Sequence, residues 1–280
     1  FHHALYVLVD PAGKSRYRDF GRIEQLAKAY TDGFVVSGEF VSFRQRKFGR
    51  STAGMDADKF VVFSLNHDQV GNRVGGERLS KLVNLKLQKL SAAAVLLSPY
   101  VPMLFMGEEY GEEAPFYYFV DHSDPELIQA VKEGRRNDFA AFGDSEYKDP
   151  FDEDVYRQSV LNWESRYTGK HAELLDWHKA LLTLRREEPA LQNVRKNDIR
   201  VSILDDGGLM LHRQCVHGLY HVVAFFNLTQ KSIVARLPGW LENAEVRLHS
   251  GREAVITKNK QLTLEPHQVV VVSGASSLTE

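Results

Sequence analysis

The chain of 280 residues has a formal net charge of -2, and 26% of its residues are charged. This balance gives no electrostatic argument for a nucleic acid or a membrane surface as a partner. The single cysteine, Cys215, excludes an internal disulfide, and no apolar run reaches the length of a membrane span. The chain opens at Phe1 without an initiator Met or a signal peptide, so we expect a cytoplasmic protein whose natural start lies elsewhere.

The first sixty residues predict one clear helix between irregular segments. The run IEQLAKAYTDGF, residues 23–34, places its apolar side chains at helical spacing and offers Gly33 as a C-cap. Before it, residues 1–10 are apolar and end in a turn. After it, residues 34–58 are rich in Gly, Ser, Arg and Phe, which is typical of a long loop.

The middle of the chain predicts a strand, a helix and a second strand. KFVVFSL, residues 59–65, is a short apolar run that suits a strand buried on both faces. A helix is expected from about Ser80 until Pro99 stops it, and VPMLFMG, residues 101–107, follows as the next strand. This spacing indicates a βα layout with parallel strands.

The hydrophobic pattern of the sequence changes near residue 190, from helical spacing to alternation. HAELLDWHKALLTLRREEPAL, residues 171–191, predicts an amphipathic helix closed by Pro189. Six or more short alternating runs follow, separated by turns rich in Gly, Asp and Pro, which predicts an antiparallel β-sandwich. We therefore place a domain boundary there, with one domain over residues 1–190 and a second over residues 191–280.

Both middle strands end in ionisable clusters, Asn66-His67-Asp68-Gln69 and Glu108-Glu109. Active sites of α/β proteins usually lie at the carboxyl ends of the parallel strands. Paired carboxylates there are suited to acid–base catalysis or to the stabilisation of charge. The competing interpretation is a helix N-cap at Asp68 and solvated glutamates in the Glu108 segment. A metal site fits poorly, because adjacent residues on a strand end point to opposite sides.

The residues of this middle region carry a family resemblance. FVVFSLNHDQVGN, residues 60–72, resembles the strand-seven motif of the α-amylase superfamily of glycoside hydrolases. Residues 98–143, FHHAL at the start and GFVVSGEFVSFRQRKFG are similar to a narrower group, the maltooligosyltrehalose trehalohydrolases. The resemblance implies part of a (β/α)8 (TIM) barrel, about strand 6 to helix 8, followed by the antiparallel β-sandwich.

Residue roles follow from the resemblance alone. Asp68 would be the third catalytic carboxylate, which stabilises the transition state without attacking, and His67 would hydrogen-bond the sugar at the cleavage point. The remaining candidates would shape the pocket or line neighbouring glucose subsites: Asn66, Gln69, Asn72, Arg73, Glu108, Tyr110, Phe116, Phe119, Asp121 and His122. For the aromatic residues among them, the alternative is core packing.

The activity implied by the resemblance is that of a retaining glycoside hydrolase. It would cleave the α-1,4 bond next to a terminal trehalose unit and release trehalose, with maltooligosyltrehalose or an α-1,4-glucan as substrate. No metal or organic cofactor is implied, because carboxylates and water suffice. The family's nucleophilic Asp and acid/base Glu, on strands four and five, match nothing in the chain, so we expect a C-terminal fragment that is inactive alone. Two alternatives remain: a branching or debranching relative, and a non-catalytic carbohydrate-binding or structural module.

Overall fold

The computed structural model describes residues 1–11, 17–42, 44–141 and 148–276. The chain divides into two compact units. The first unit comprises Phe1–Ser64, Leu85–Met103 and Asp176–Glu280, and the second comprises Leu65–Asn84 and Leu104–Leu175. The first unit takes in residues on both sides of position 190, and the domain boundary expected there stays a prediction.

The helices and strands are given in chain order. The α-helices are α1 (His2–Val9), α2 (Ile23–Asp32), α3 (His67–Gly71), α4 (Leu79–Leu82), α5 (Leu85–Leu96), α6 (Pro125–Ala141), α7 (Glu153–Gln158), α8 (Gly169–Glu187) and α9 (Pro189–Gln192). The strands are β1 (Phe40–Val41), β2 (Arg46–Lys47), β3 (Val61–Val62), β4 (Val101–Pro102), β5 (Ile199–Ile203), β6 (Gly208–Gln214), β7 (Tyr220–Asn227), β8 (Ile233–Arg236), β9 (Leu241–His249), β10 (Gln261–Leu264) and β11 (Val269–Ser276). Among the helices in the described ranges, none has both the length and the apolar character needed to cross a membrane.

In the N-terminal part of the first unit, the structure contains the one helix that the sequence predicts. The helix α2 and its C-cap are confirmed, since Gly33 adopts a φ of 86° and its N–H bonds to Ala29 O. The apolar opening forms helix α1, which the sequence analysis did not predict, and the turn expected at residues 10–13 lies partly outside the described residues. Residues 34–58 are mostly loop, with the short antiparallel pair β1 and β2 inside it.

The parallel pairing of the two middle strands is confirmed, but both strands are short. Val61 pairs with Val101, and Val62 pairs with Pro102. Each of the strands β3 and β4 therefore consists of only two residues. Burial on both faces is wrong at Val61, which is 58% exposed. Within the described residues, β3 and β4 pair only with each other, so both outer edges of this two-stranded sheet lack a neighbouring strand there.

The helix predicted from Ser80 to Pro99 is interrupted. Val83 adopts an extended backbone, with φ -135° and ψ 158°, and it separates α4 from α5. The carbonyl end of α5 is capped by two arginines: Arg185 donates to Leu96 O at 2.6 Å and to Ser98 O at 2.6 Å, and Arg213 donates to Ser98 O at 3.0 Å. The bond to Leu96 O satisfies a carbonyl group that the helix end leaves without an intrahelical partner, and Ser98 lies two residues beyond that end. Both cations complement the helix dipole.

The C-terminal strands form the β-rich region that the alternating runs predict. One antiparallel sheet has the order β5-β6-β7-β11-β9, and β8 pairs with β10 in a second, two-stranded sheet. Phe225, Ile233, Leu262 and Val270 meet in one apolar cluster that takes side chains from both sheets. The run of four valines in β11 is completely buried, because one face joins this cluster and α5 contacts the same strand.

Two buried histidines face each other on neighbouring strands of the larger sheet. His212 Nε2 lies 2.9 Å from His221 Nδ1, and both rings pack against Trp240 at centroid distances of 4.6 and 4.7 Å. Burial lowers the pKa of His212 to about 4, with His221 and Arg200 adding to the shift, and burial also lowers the pKa of His221. The folded sheet therefore keeps both imidazoles neutral at a pH where the unfolded chain protonates them.

This histidine pair is expected to lower the stability of the sheet as the pH falls from 6.5 towards 4. A histidine whose pKa is lower in the folded state binds fewer protons there than in the unfolded chain. Its full contribution to the free energy of unfolding is therefore present above pH 6.5 and is lost as the pH falls towards 4. Urea unfolding at pH 7 and pH 5 should show a loss for the wild type that exceeds the loss for a His212→Gln/His221→Gln variant by about 1–2 kcal/mol. Parallel pH profiles for the two proteins would contradict this account.

Candidate functional site

The motif at residues 66–69 forms the beginning of helix α3. Asn66 is the N-cap: its Oδ1 accepts from Asp68 N–H at 2.8 Å, and its own N–H donates to Gln69 Oε1 at 3.1 Å. This reciprocal capping box satisfies backbone donors that would otherwise lack partners. The cap is therefore Asn66 and not Asp68, and both Asn66 and Gln69 already have a structural role that fixes the first turn.

The capping box presents His67 and Asp68 to solvent on the first helical turn. Their side chains are 69% and 66% exposed, and His67 Nε2 lies 3.4 Å from Asp68 Oδ1. The expectation that the two side chains point to opposite sides is wrong, because it assumed a strand where the chain has already turned into a helix. The structure thus brings the two residues predicted for catalysis together as one exposed polar pair.

The end of α3 is tied to α6 by Arg135. Its Nη1 donates to Asn72 Oδ1 at 2.5 Å and its Nη2 donates to Gly71 O at 2.8 Å, while the guanidinium carbon lies 4.5 Å from the centre of the Tyr118 ring. Next along the chain, Arg73 Nε bonds to Glu77 Oε2 at 3.1 Å. The predicted pocket residues Asn72 and Arg73 are therefore both held by neighbouring side chains.

The predicted strand-end glutamate Glu108 begins a short 3-10 turn, Glu108–Tyr110. Glu108 Oε2 accepts a hydrogen bond from Phe105 N–H at 3.0 Å. This bond connects the turn to the residues that precede it. Tyr110 is only 1% exposed, and its hydroxyl donates to Glu112 Oε2 at 2.8 Å. For Tyr110, the structure therefore favours core packing over a place in a glucose subsite.

Glu112 is the residue that sequence reasoning missed, because it was grouped with solvated glutamates. It is 3% exposed, and its carboxylate accepts from Glu113 N–H, Ala114 N–H, Tyr110 Oη and Asn162 N–H at 2.6 to 2.8 Å. Burial alone would raise the pKa of Glu112, but these hydrogen bonds outweigh it and leave the pKa below its usual value. Nothing in the two glutamate pairs at positions 108–109 and 112–113 separates Glu112 from the others, so the sequence pattern carries no signal for it.

A buried arginine lies beside this network. Arg78 is 4% exposed and donates to Ala114 O at 2.7 Å and to Met106 O at 2.6 Å. Burial lowers the pKa of Arg78, and the neighbouring charge of Glu112 acts in the opposite direction. Arg78, the N-cap of α4, therefore ties the carbonyl groups of Met106 and Ala114 to the start of that helix.

The predicted aromatic residues Phe116 and Phe119 lie in a row with a third ring. Their ring centroids are 5.9 Å apart, and Phe119 is 5.5 Å from Tyr156, which the sequence interpretation did not select. Gly76 lets the chain approach this row, since a Cβ there would meet the Phe116 carbonyl at 2.9 Å. Phe119 and Tyr156 are 37% and 52% exposed, so this row presents apolar faces to solvent.

The last two predicted residues, Asp121 and His122, follow this row. Asp121 is exposed, and the His122 ring packs against Phe151 at a centroid distance of 5.9 Å. Across the described parts of the chain, no group of three His, Cys, Asp or Glu side chains has the geometry to hold a metal ion. The arrangement is one of exposed polar and aromatic side chains, which suits the binding of an uncharged polar ligand with apolar faces.

Comparison with solved structures defines the class of fold. The chain is similar over 98% of its length to a provisionally assigned alpha amylase from Salmonella typhimurium, with a TM-score of 0.83 and 29% identity, and it covers 45% of that chain. It also shares its fold with a pullulanase from Paenibacillus barengoltzii, with a TM-score of 0.61 and 16% identity over 97% of this chain and 38% of the other. The fold is that of α-amylase-type proteins. No protein-family model matches the sequence.

Curated relatives give higher sequence identities than these solved structures. The chain is 45% identical over 187 residues to malto-oligosyltrehalose trehalohydrolase of Saccharolobus solfataricus, which is 67% of this chain and 32% of the relative. The enzymes of that name from Brevibacterium helvolum and Deinococcus radiodurans are 40% and 36% identical, over 76% and 82% of this chain and 37% and 39% of their own lengths. All three relatives are malto-oligosyltrehalose trehalohydrolases, and the chain spans 32% to 39% of their length.

Proposed function

We propose that this chain is part of a retaining glycoside hydrolase that cleaves the α-1,4-glucosidic bond next to a terminal trehalose unit and releases trehalose. The observation that carries the proposal is the exposed His67–Asp68 pair, held by its capping box within a sequence 45% identical to malto-oligosyltrehalose trehalohydrolase. In this proposal residues 1–190 supply the barrel from about strand 6 to helix 8, and residues 191–280 supply the β-sandwich.

In the proposed mechanism, Asp68 acts on the sugar ring without attacking it. Its carboxylate accepts hydrogen bonds from ring hydroxyls and favours a distorted, oxocarbenium-like sugar. His67 is close enough to Asp68 to reach the same sugar residue, since the imidazole and the carboxylate are 3.4 Å apart. Hydrogen bonds of this kind accelerate the reaction only to the extent that they strengthen in the transition state.

The aromatic row of Phe116, Phe119 and Tyr156 is proposed to bind glucose units beside the cleavage point. Aromatic faces pack on the apolar faces of sugar rings, and the two exposed members of the row offer such faces to solvent. Asn72, Arg73, Asp121 and His122 stay proposed as polar residues of the surrounding subsites. Tyr110 is left out of this surface, because its side chain is buried and bonded to Glu112.

The proposed enzyme needs two carboxylates that this chain does not supply. A retaining mechanism uses a nucleophile and an acid/base about 5–5.5 Å apart, and the resemblance assigns both to barrel strands that precede the ones matched here. Without these groups, His67 and Asp68 have neither a nucleophile nor a proton donor at the bond to be cleaved. Residues that act as a unit lose nearly all activity when part of the unit is removed, so the 280-residue chain is proposed to be inactive alone.

The test compares a longer protein containing this sequence with the 280-residue chain. The longer protein should release trehalose from maltooligosyltrehalose, and the chain alone should release none above the uncatalysed background. A branched glucan serves as the second substrate, because a branching or debranching relative would act on it instead. Absence of trehalose release by the longer protein would overturn the proposed substrate, and turnover by the isolated chain would overturn the argument about the missing carboxylates.

A further inference from the structure

A second group of exposed aromatic rings lies on the 3-10 turn Trp163–Tyr167. Trp163 is 49% exposed and Tyr167 is 61% exposed. The guanidinium of Arg166 contacts both, with its carbon 5.4 Å from the centre of the Trp163 ring and 4.6 Å from that of the Tyr167 ring. We call these three residues the Trp163–Tyr167 platform.

The platform is held in place by buried groups beneath it. The N–H of Asn162, which precedes the turn, donates to the buried Glu112 carboxylate at 2.6 Å. The Trp163 ring packs against the buried Tyr110 ring at a centroid distance of 6.0 Å. Within the turn, the Ser165 hydroxyl donates to Asn162 O at 2.8 Å. Buried groups thus support the turn and its Trp163 ring, and two large exposed rings lie close together, which differs from the single apolar side chains scattered over most protein surfaces.

Arg166 gives the platform a polar element as well as two apolar faces. Its Nη2 donates to the Tyr167 hydroxyl, and its contacts with both rings hold them around one guanidinium. A ligand that suits this surface has apolar faces to pack on the rings and hydroxyl groups to bond at their edges. Because the Trp163 ring packs on Tyr110 and Arg166 contacts both rings, binding costs less side-chain entropy than for unsupported rings.

We propose that the Trp163–Tyr167 platform is a binding site for linear α-1,4-glucan, separate from the residues assigned above to the cleavage site. The choice of α-glucan among polyhydroxylated ligands rests on the proposed function. The platform binds glucan chains by ring stacking and takes no part in the chemical step. Loss of the platform therefore weakens glucan binding and leaves the turnover of a short substrate unchanged.

The experiment measures the binding of maltoheptaose to the 280-residue chain by isothermal titration calorimetry. Trp163→Ala and Tyr167→Ala should each lower the association constant about tenfold, which corresponds to the upper range measured for a stacked aromatic contact. Tyr167→Phe keeps the ring and should stay within twofold of the wild type. Phe40→Ala removes a ring that is 61% exposed in the other compact unit, and it serves as the matched control.

Trp163 packs on Tyr110, so the folding of each variant is checked by circular dichroism, and Tyr167→Ala carries the test if Trp163→Ala does not fold. Cellohexaose, with β-linked glucose, should bind at least tenfold more weakly than maltoheptaose. Equal binding of the two sugars, or unchanged binding in both alanine variants, would overturn the platform. Trehalose release by a longer protein is measured separately, so a failed platform with intact release leaves the proposed function standing, and the reverse result leaves the platform standing.

Discussion

Replacing Asp68 by asparagine in a longer protein that contains this sequence is expected to lower kcat for trehalose release by about 10³-fold, with KM changed by less than about threefold. Losses of 10²–10³ are typical when one group that stabilises developing transition-state charge is removed from an enclosed site. The substitution keeps the shape of the side chain and removes its charge. Because the Asp68 N–H bonds to Asn66 Oδ1 through the backbone, the capping box survives the change.

The exposure of Asp68 in this chain sharpens that expectation. A carboxylate that is 66% exposed acts on its surroundings through water, where electrostatic interactions are weak. An effect of 10³-fold therefore requires that the longer protein encloses Asp68 when substrate is bound. His67→Ala should cost less, about 10- to 100-fold, because it removes a hydrogen bond to the sugar and leaves the charge of Asp68 in place.

The control for Asp68 is Asp176→Asn, which removes another exposed carboxylate. The Asp176 side chain is 75% exposed and pairs with Lys179 on the surface of α8. Its removal should leave kcat within twofold of the wild type. If Asp68→Asn kept more than a third of the wild-type kcat, the carboxylate would be a structural or binding group only.

The parts of the fold that sequence predicts well are those in which one local pattern decides the structure. The helix α2 needs only its apolar spacing and Gly33, and both lie within a dozen residues. The strands β8 and β10 alternate more buried with more exposed residues, because one face of each packs into the apolar cluster, and this period of two can be seen in their sequences. In these segments, tertiary contacts agree with the local preference.

Prediction fails where distant contacts decide the outcome. KFVVFSL reads as a buried strand, but only Val61 and Val62 pair, and the burial of Val61 depends on neighbouring strands that its own sequence cannot supply. The motif around His67 shows which residues are present but not that Asn66 turns the chain into a helix and brings His67 beside Asp68. The role of Glu112 depends on a bond from Asn162, fifty residues away in sequence, which no local pattern contains.

Glu112→Gln is expected to lower the free energy of unfolding of the second compact unit by about 2–4 kcal/mol. The buried carboxylate accepts four hydrogen bonds, and an amide offers one acceptor oxygen and turns a donor group towards the remaining N–H and O–H donors. Breaking a buried, hydrogen-bonded charge typically costs this much, because its former partners are left without acceptors. Urea unfolding followed by the fluorescence of Trp163 measures the change, since that ring packs on Tyr110 within the same network.

Glu113→Gln is the matched control, because it makes the same substitution at the next residue. The Glu113 side chain is 33% exposed and pairs with Lys81 and Lys170 at the surface, where ion pairs contribute less than about 1 kcal/mol.

The pH dependence of the free energy of unfolding separates the effect of the Glu112 charge from the effect of its shape. The pKa of Glu112 is lower in the folded chain than its usual 4.5, so its contribution is full above that pH and is lost as the pH falls below it. The stability difference between wild type and Glu112→Gln should therefore narrow below pH 4.5, and a constant difference would show that the amide fails for its shape and not for its missing charge.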